Sequence, residues 1–265
     1  MSRIQTVFSA LKANNKKALI PYITAGDPHP NHTVAMLHAM VKSGADMIEL
    51  GIPFSDPMAD GPVIQRASER ALKHKVGLKH VLEMVAEFRK NDDKTPIILM
   101  GYANPIEAMG QAKFTQTAKA AGVDGVLTVD YPPEECKDFI ANLQANGMDS
   151  IFLLSPTSDS NRVNLIVNQA SGFLYYVSLK GVTGAANLDI EEVKARVAEI
   201  RTKTNLPIGV GFGVKDSATA KNVAVFADAI VVGSRMVQLI ESSTEENLIG
   251  NISQLIAELR VAIDS

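Results

Sequence analysis

The segment IELGIPFSDPMADGP, residues 48–62, begins as a short apolar run and continues as a loop that contains three prolines and two glycines. The run carries a carboxylate, Glu49, and the loop carries two more, Asp56 and Asp60. Apolar runs of this length between turn residues are typical of buried strands. The segment therefore predicts a strand that delivers acidic side chains to a loop at its carboxyl end.

Seven further short apolar runs surround this strand in the chain, and helix-period segments separate them. Together, the eight predicted strands cover residues 18–24, 46–51, 96–101, 124–129, 149–154, 173–178, 207–212 and 228–233. Continuous apolar strands that alternate with helices indicate parallel pairing with helices outside. Eight such units favour a single (β/α)8 TIM barrel over residues 1–265, and an open doubly wound sheet is the alternative.

The N-terminal residues Ile4, Val7, Phe8 and Leu11 follow helical spacing, which predicts an extra helix before the first strand. The same stretch lacks the unbroken apolar core of a signal peptide. No later stretch is apolar for the roughly 18 residues that a membrane span needs. These features predict a soluble cytoplasmic protein.

Side chains alternate along a strand, so Met47 and Glu49 share one face and Ile48 and Leu50 share the other. We interpret the Glu49 face as the barrel interior, because strand carboxyl ends form the active face of this fold. Burial there would raise the pKa of Glu49 and suit it to proton transfer. The alternative is a structural carboxylate paired with a buried hydroxyl or amide.

Prolines stiffen the loop after Glu49, and the loop ends before a helix-like segment, so Asp56 and Asp60 are expected to be held in place. Taken singly, the residue type and position of each favour a turn or helix N-cap residue over a catalyst.

Glycines follow the last three predicted strands, where barrels commonly bind phosphate through backbone N–H groups. The candidates are Gly211, Gly213, Gly233 and Ser234. Phe212 and Tyr175 could line a flat apolar pocket beside that phosphate. The alternatives are glycines that only permit tight turns and aromatic rings that only fill the core.

Composition excludes several classes of chemistry and partner. The net charge is −3, which gives no electrostatic reason to expect nucleic acid or an anionic membrane as partner. Cys136 is the only cysteine, so neither an intrachain disulfide nor a CxxC pair can form. All five histidines lie within the first 80 residues, and no predicted strand has an interior lysine. A histidine-bound metal at the mouth and a Schiff-base lysine are therefore disfavoured, which leaves carboxylate acid/base chemistry.

The quoted motif and its surroundings closely resemble the signature of tryptophan synthase α chains. The matching segments are IELGIPFSDPMADGPVIQRAS (48–68), PYITAGDP (21–28), GYANP (101–105), KGVTGA (180–185), GVGFGV (209–214) and VVGS (231–234). They occur in the order and spacing of that family and span essentially the whole chain.

The resemblance implies a single (β/α)8 barrel that cleaves indole-3-glycerol phosphate to indole and glyceraldehyde 3-phosphate. It implies Glu49 and Asp60 as the catalytic pair: Glu49 exchanges protons with the ring carbon and the chain hydroxyl, and Asp60 stabilises the ring N–H. Neither a metal nor another cofactor is implied for this chain.

The resemblance also assigns the substrate's surroundings. It implies that the indole contacts Tyr22, Met100, Leu127, Tyr175 and Phe212, and that the phosphate contacts Gly184, Gly211, Gly213, Gly233 and Ser234. Thr183 would lie on a lid that closes toward Asp60. Relatives often have Phe at Tyr22 and Leu at Met100, and some have a lid arginine at Leu179.

Members of this family bind a β chain that holds pyridoxal phosphate, and an α2β2 tetramer is implied. The resemblance implies docking through Pro53, Asp56 and Asn104. Two other readings remain open at this point: another phosphate-binding barrel that acts on a phosphorylated sugar, and a catalytically silent subunit that only activates its partner.

Overall fold

The computed structural model describes residues 2–177, 190–211 and 213–265. Eight parallel strands form a closed barrel in which each strand pairs with the next and the last pairs with the first. The strands are β1 Ala18–Thr24, β2 Ile48–Gly51, β3 Ile97–Gly101, β4 Gly125–Thr128, β5 Asp149–Leu154, β6 Leu174–Val177, β7 Ile208–Gly211 and β8 Ala229–Val232. The predicted barrel is confirmed, and the open sheet is wrong.

Helices surround the barrel and connect its strands. They are α1 Arg3–Ala13, α2 Thr33–Lys42, α3 Pro62–Lys73, α4 Leu78–Phe88, α5 Ala103–Met109, α6 Gln111–Ala121, α7 Lys137–Ala145, α8 Ser160–Gln169, α9 Ile190–Arg201, α10 Ser217–Ala224, α11 Ser234–Ser242 and α12 Leu248–Asp264. The extra N-terminal helix is confirmed as α1, and α3 is an additional helix between β2 and α4. Among the helices of the described residues, none has the length and apolar character to cross a bilayer.

Two apolar layers meet at the strands. Met47 belongs to the cluster inside the barrel, with Ile98 and Leu127. Ile48 and Leu50 belong to the larger cluster between the strands and the helices. The alternation expected from the sequence is therefore confirmed, and it directs the Glu49 side chain into the barrel.

Helix α1 closes the end of the barrel at which the strands begin. Its apolar residues Ile4 and Phe8 join the interior cluster, and the ring of Phe8 lies 5.8 Å from that of Phe173. Arg3 also pairs with Asp124 at the start of β4, at 2.8 Å. Helix α1 therefore covers the end of the barrel at which the strands begin, and the predicted site lies at the opposite end, where the strands finish.

Helices α3 and α11 pack beside that open end. Ile64 and Ala67 of α3 and Val237 of α11 form an apolar cluster with Tyr22 of β1. The sequence places Asp60 just before α3 and Ser234 at the start of α11. This packing therefore brings the acidic loop and one predicted phosphate loop to the same rim.

Candidate active site

Glu49 is the buried acid of the barrel mouth. Its side chain is 2 % exposed, and its Oε1 has no hydrogen-bond partner among the described residues. Burial, reinforced by the charge of Asp60, raises the pKa of Glu49 to about 8. The alternative of a structural carboxylate paired with a neighbouring hydroxyl or amide is therefore not supported, since no such partner bonds Oε1 within the described residues.

Asp60 lies in the loop between β2 and α3 and is partly buried. Its Oδ2 accepts a hydrogen bond of 3.1 Å from the hydroxyl of Tyr102, which directly follows β3. Burial raises the pKa of Asp60 to about 6, and the bond from Tyr102 opposes that rise. The N-cap of α3 is Gly61, so the carboxylate of Asp60 is not used to cap the helix.

The loop around Asp60 is fixed by contacts beyond its own prolines. The Tyr102 hydroxyl accepts a bond of 3.0 Å from the backbone N–H of Ala59. Gln65 donates its side-chain N–H to the carbonyl of Asp60 at 2.8 Å. Phe54 stacks on the ring of Tyr102 with 5.2 Å between centroids. Asp60 therefore reaches the mouth from a held loop, as the prolines predicted.

The two carboxyl groups differ in charge near neutral pH. With pKa values of about 8 and about 6, Glu49 keeps its proton while Asp60 is ionised. Pairs of titratable groups whose surroundings separate their pKa values are the usual arrangement for acid and base roles. The site can therefore donate a proton from one carboxyl group and stabilise positive charge with the other.

Two tyrosine rings lie over glycines of the neighbouring strands. A Cβ at Gly51 would approach the Tyr22 hydroxyl to 2.2 Å, and one at Gly211 would approach the Tyr175 hydroxyl to 2.1 Å. Any larger residue at either position would therefore displace a ring. Burial, together with the charge of Glu49, raises the pKa of Tyr175 well above its ordinary value, which keeps this hydroxyl protonated beside the acid.

The remaining predicted pocket residues line the same interior. Leu127 is fully buried and Met100 is partly exposed, and Met100 contacts both the interior cluster and the cluster around Tyr22. Tyr22 pairs in register with Glu49. These side chains therefore form an apolar wall beside the acid. Phe212, the fifth predicted pocket residue, lies outside the described residues.

Part of the predicted phosphate site can be located. Gly211 ends β7, and Gly213 has a φ of +82°, a conformation that favours glycine. Gly233 is the N-cap of α11 and Ser234 is its first residue, with no side-chain capping bond. These loops follow the adjacent strands β7 and β8, so they lie at one rim of the barrel, where the N-terminus of α11 presents backbone N–H groups. Gly184, and with it Leu179 and Thr183 of the expected lid, lies outside the described residues.

The residues predicted for a partner interface differ in exposure. Asp56 and Asn104 are exposed, whereas Pro53 is buried within this chain. The same loop carries Met58, which is 78 % exposed and which sequence reasoning did not select.

Sequence reasoning also missed Tyr102, although it lies in the quoted GYANP motif directly after a predicted strand. Its position at a strand carboxyl end was the available signal. Among the described residues, no group of three or more His, Cys, Asp or Glu side chains is arranged to hold a metal ion.

The chain is similar to known proteins over its full length. The family model described as tryptophan synthase alpha chain matches residues 8–262. The alpha chain of Chromobacterium violaceum is 61 % identical over 263 residues, covering 99 % of this chain and 100 % of the relative. That of Herminiimonas arsenicoxydans is 60 % identical over 264 residues, with complete coverage of both chains.

Solved structures agree with these relatives. The tryptophan synthase alpha subunit of Legionella pneumophila superposes with a TM-score of 0.93 at 48 % identity, over 100 % of this chain and 99 % of that chain. A chain of Mycobacterium tuberculosis tryptophan synthase, in an aminoacrylate-bound form, has a TM-score of 0.89 at 32 % identity, over 99 % and 100 % of the two chains. The chain therefore belongs to the tryptophan synthase alpha chain family.

Proposed function

We propose that Glu49 and Asp60 are the residues with which this chain performs the reaction of its family, a step of tryptophan biosynthesis. The family consists of lyases that cleave indole-3-glycerol phosphate to indole and glyceraldehyde 3-phosphate. The reaction is a retro-aldol cleavage, and residues 1–265 are proposed to act in it as one catalytic domain.

Glu49 supplies the proton that starts the cleavage. Its protonated carboxyl group donates to the indole carbon that bears the chain, and the ring nitrogen then carries the positive charge. When the carbon–carbon bond breaks, its electrons return to the ring. The carboxylate of Glu49 accepts the proton of the chain hydroxyl, whose carbon becomes the aldehyde. The pKa of about 8 keeps Glu49 protonated before the reaction, as the first step requires.

Asp60 stabilises the charge that appears on the ring. As a carboxylate it accepts a hydrogen bond from the ring N–H, which becomes more acidic when the ring is protonated. Its pKa of about 6 keeps it ionised at neutral pH, and Tyr102 holds it in place. Asp60 therefore favours the protonated ring over the neutral substrate.

The rest of the mouth binds the two ends of the substrate. Tyr22, Met100, Leu127, Tyr175 and Phe212 are proposed to surround the indole ring. The phosphate oxygens are proposed to accept hydrogen bonds from the loops that contain Gly184, Gly211, Gly213, Gly233 and Ser234. Thr183 is proposed to lie on a lid that excludes water during cleavage.

The observation that carries this assignment is the separation of the two pKa values near neutrality. A phosphorylated-sugar isomerase, the alternative kept open by the sequence, has no need for the apolar wall of aromatic and aliphatic side chains beside the acid. A site for an indole ring needs that wall.

A β chain is the proposed partner, because relatives with this fold include a chain of a tryptophan synthase. The assembly is proposed to be an α2β2 tetramer in which only the β chain holds pyridoxal phosphate. Met58, Asp56 and Asn104 present an exposed surface on the loops after β2 and β3. Pro53 is proposed to shape this loop from beneath.

The test is indole release from indole-3-glycerol phosphate, measured with the isolated chain and with an added β chain. We expect slow release by the chain alone and faster release with the partner. Asp56→Asn provides a control that retains the chain's own activity and weakens only the activation. Indole release in neither condition would show a catalytically silent subunit and refute the proposed reaction.

A further inference from the structure

A pair of buried hydroxyl groups lies in the barrel mouth beside the two carboxyl groups. The Tyr22 hydroxyl and the Thr24 Oγ1 are 3.2 Å apart and are hydrogen-bonded to each other. Tyr22 is 7 % exposed and Thr24 is 1 % exposed. Ile23, between them on β1, belongs to the outer apolar layer, so both hydroxyl groups face the interior.

One hydroxyl proton of this pair is not used in the bond between the two groups. Each hydroxyl has one proton to donate, and the bond between the two uses one of them. Within the described residues, neither group makes another hydrogen bond. Burial and the charge of Asp60 raise the pKa of Tyr22 well above its ordinary value, so the phenol stays protonated. One buried donor therefore remains available to an acceptor, and a ligand can supply that acceptor.

The tyrosine of the pair lies between the strand that carries Glu49 and the start of α11. The Tyr22 hydroxyl lies over Gly51, two residues after Glu49 on β2. At the other end of the same side chain, a Cβ at Gly233 would lie 3.8 Å from the Tyr22 Cβ. The tyrosine therefore spans the distance between the proton-transfer groups and the rim of the phosphate loops.

We propose that the Tyr22–Thr24 hydroxyl pair binds a hydroxyl group of the substrate's three-carbon chain and so selects ligands whose chain is hydroxylated. This rests on the proposed function, since in indole-3-glycerol phosphate a chain with two hydroxyl groups joins the ring to the phosphate. Tyr22 then has two roles: its ring is part of the apolar wall, and its hydroxyl determines specificity.

Binding of two small phosphate esters tests this without any turnover. Glycerol 3-phosphate has two hydroxyl groups, and n-propyl phosphate has none. We expect calorimetry to show that the wild-type chain prefers glycerol 3-phosphate by roughly 5-fold, the usual effect of one neutral hydrogen bond. In the double variant Tyr22→Phe/Thr24→Val, we expect this ratio to fall to about 1, because no hydroxyl of the pair remains, whereas either single variant keeps one hydroxyl with a proton to donate.

Tyr131→Phe is the matched control. It removes a tyrosine hydroxyl that bonds Gln111 outside the mouth, at 3.1 Å, and should leave the preference unchanged. Thermal unfolding of each variant shows whether it is folded under the binding conditions; the double substitution replaces both hydrogen-bonded partners by apolar groups of similar shape and leaves neither hydroxyl unpaired, so a folded variant is expected.

An unchanged ratio in the folded double variant would overturn the proposal, as would equal weakening of both esters or a wild-type chain that binds neither ester. The proposed function has a separate readout. It fails when wild-type chain with β chain releases no indole, whatever the ester ratio is.

Discussion

Carboxylates occur at both ends of the barrel, and the two groups differ in whether an arginine pairs with them. At the end where the strands begin, three aspartates each accept the backbone N–H that opens the preceding strand and also pair with an arginine. They are Asp46 with Leu19 and Arg260, Asp124 with Ile97 and Arg89, and Asp228 with Ile208 and Arg201. Each aspartate therefore holds together the start of its own strand, the start of the preceding strand and an arginine side chain.

At the mouth, Glu49 and Asp60 pair with no lysine or arginine among the described residues. Location alone does not explain the difference. Asp27 also follows a strand at the mouth, is fully buried, and accepts two bonds from Arg70, at 2.6 and 2.9 Å. Arg70 pairs in turn with Glu241 of α11. In this protein, an arginine partner therefore distinguishes the structural aspartates from the two carboxylates that are proposed to react.

The largest expected effect is on kcat, and it comes from substitution of Glu49 at the mouth. Glu49→Gln removes the transferable proton and keeps the shape of the side chain, so we expect kcat for indole release to fall by roughly 10²- to 10⁴-fold. Steady-state kinetics with added β chain measures this. Near wild-type turnover by the variant would mean that the unpaired acid is not the reactive one.

Substitution of an aspartate that pairs with an arginine should instead lower the stability of the fold. Asp124→Asn removes the carboxylate that bridges Arg89 and Arg3 at a nearly buried site and leaves Arg89 only the longer pair with Asp92 at 3.9 Å, and we expect the free energy of unfolding to fall by about 3 kcal/mol. Urea denaturation measures it, and kcat of the folded enzyme should be unchanged. The control is Glu134→Gln. The ion pair of Glu134 with Arg162 is exposed, so its loss should leave the urea midpoint of unfolding unchanged.

A loss of kcat in Asp124→Asn with normal stability would remove the distinction between the two ends.

Burial of Glu49 should destabilise the folded chain at neutral pH, whereas Asp124 should stabilise it. In the unfolded chain its pKa is near 4.5, and in the folded chain it is about 8. Between these values the unfolded chain releases the proton while the folded chain retains it, so the folded state loses stability as pH rises. We expect Glu49→Gln to be more stable than wild type by about 3 kcal/mol at pH 7, with no difference at pH 4.

Urea denaturation of both proteins at the two pH values tests this. Equal stability at pH 7 would indicate that the acid is paired after all, and the comparison between the two ends would then be wrong for Glu49.

The smallest expected effect is on Asp60. Tyr102→Phe removes the hydrogen bond that lowers the pKa of Asp60, so the acidic limb of the pH profile of kcat/KM should move upward from about 6. At pH 7, we expect kcat/KM to fall roughly 3- to 10-fold. Tyr131→Phe is again the control, and its profile should match wild type. An unshifted acidic limb would show that Asp60 does not control it.

Much of the fold followed from the sequence because it is recorded in local periodicity. All eight strands lie within their predicted ranges, and α1 and α3 lie where the pattern placed them. The inward direction of Glu49 followed from the alternation of Met47 and Leu50. Each of these features depends on which side of one segment is buried, and neighbouring residues of that segment are enough to reveal it.

The relations between segments were decided only by the tertiary structure. Asp60 and Tyr102 are 42 positions apart and meet because β2 and β3 are neighbours in a closed barrel. The Tyr22 ring lies over Gly51 for a similar reason, since β1 pairs with β2. No local pattern contains such contacts.

The sequence by itself therefore determined eight strands that alternate with helices, and the face that Met47 and Glu49 share, because the hydrophobic effect acts on each segment separately. Only the closed barrel decided which carboxylates meet a cation and which are buried without one. Those properties depend on charges, hydrogen bonds and burial supplied by distant parts of the chain.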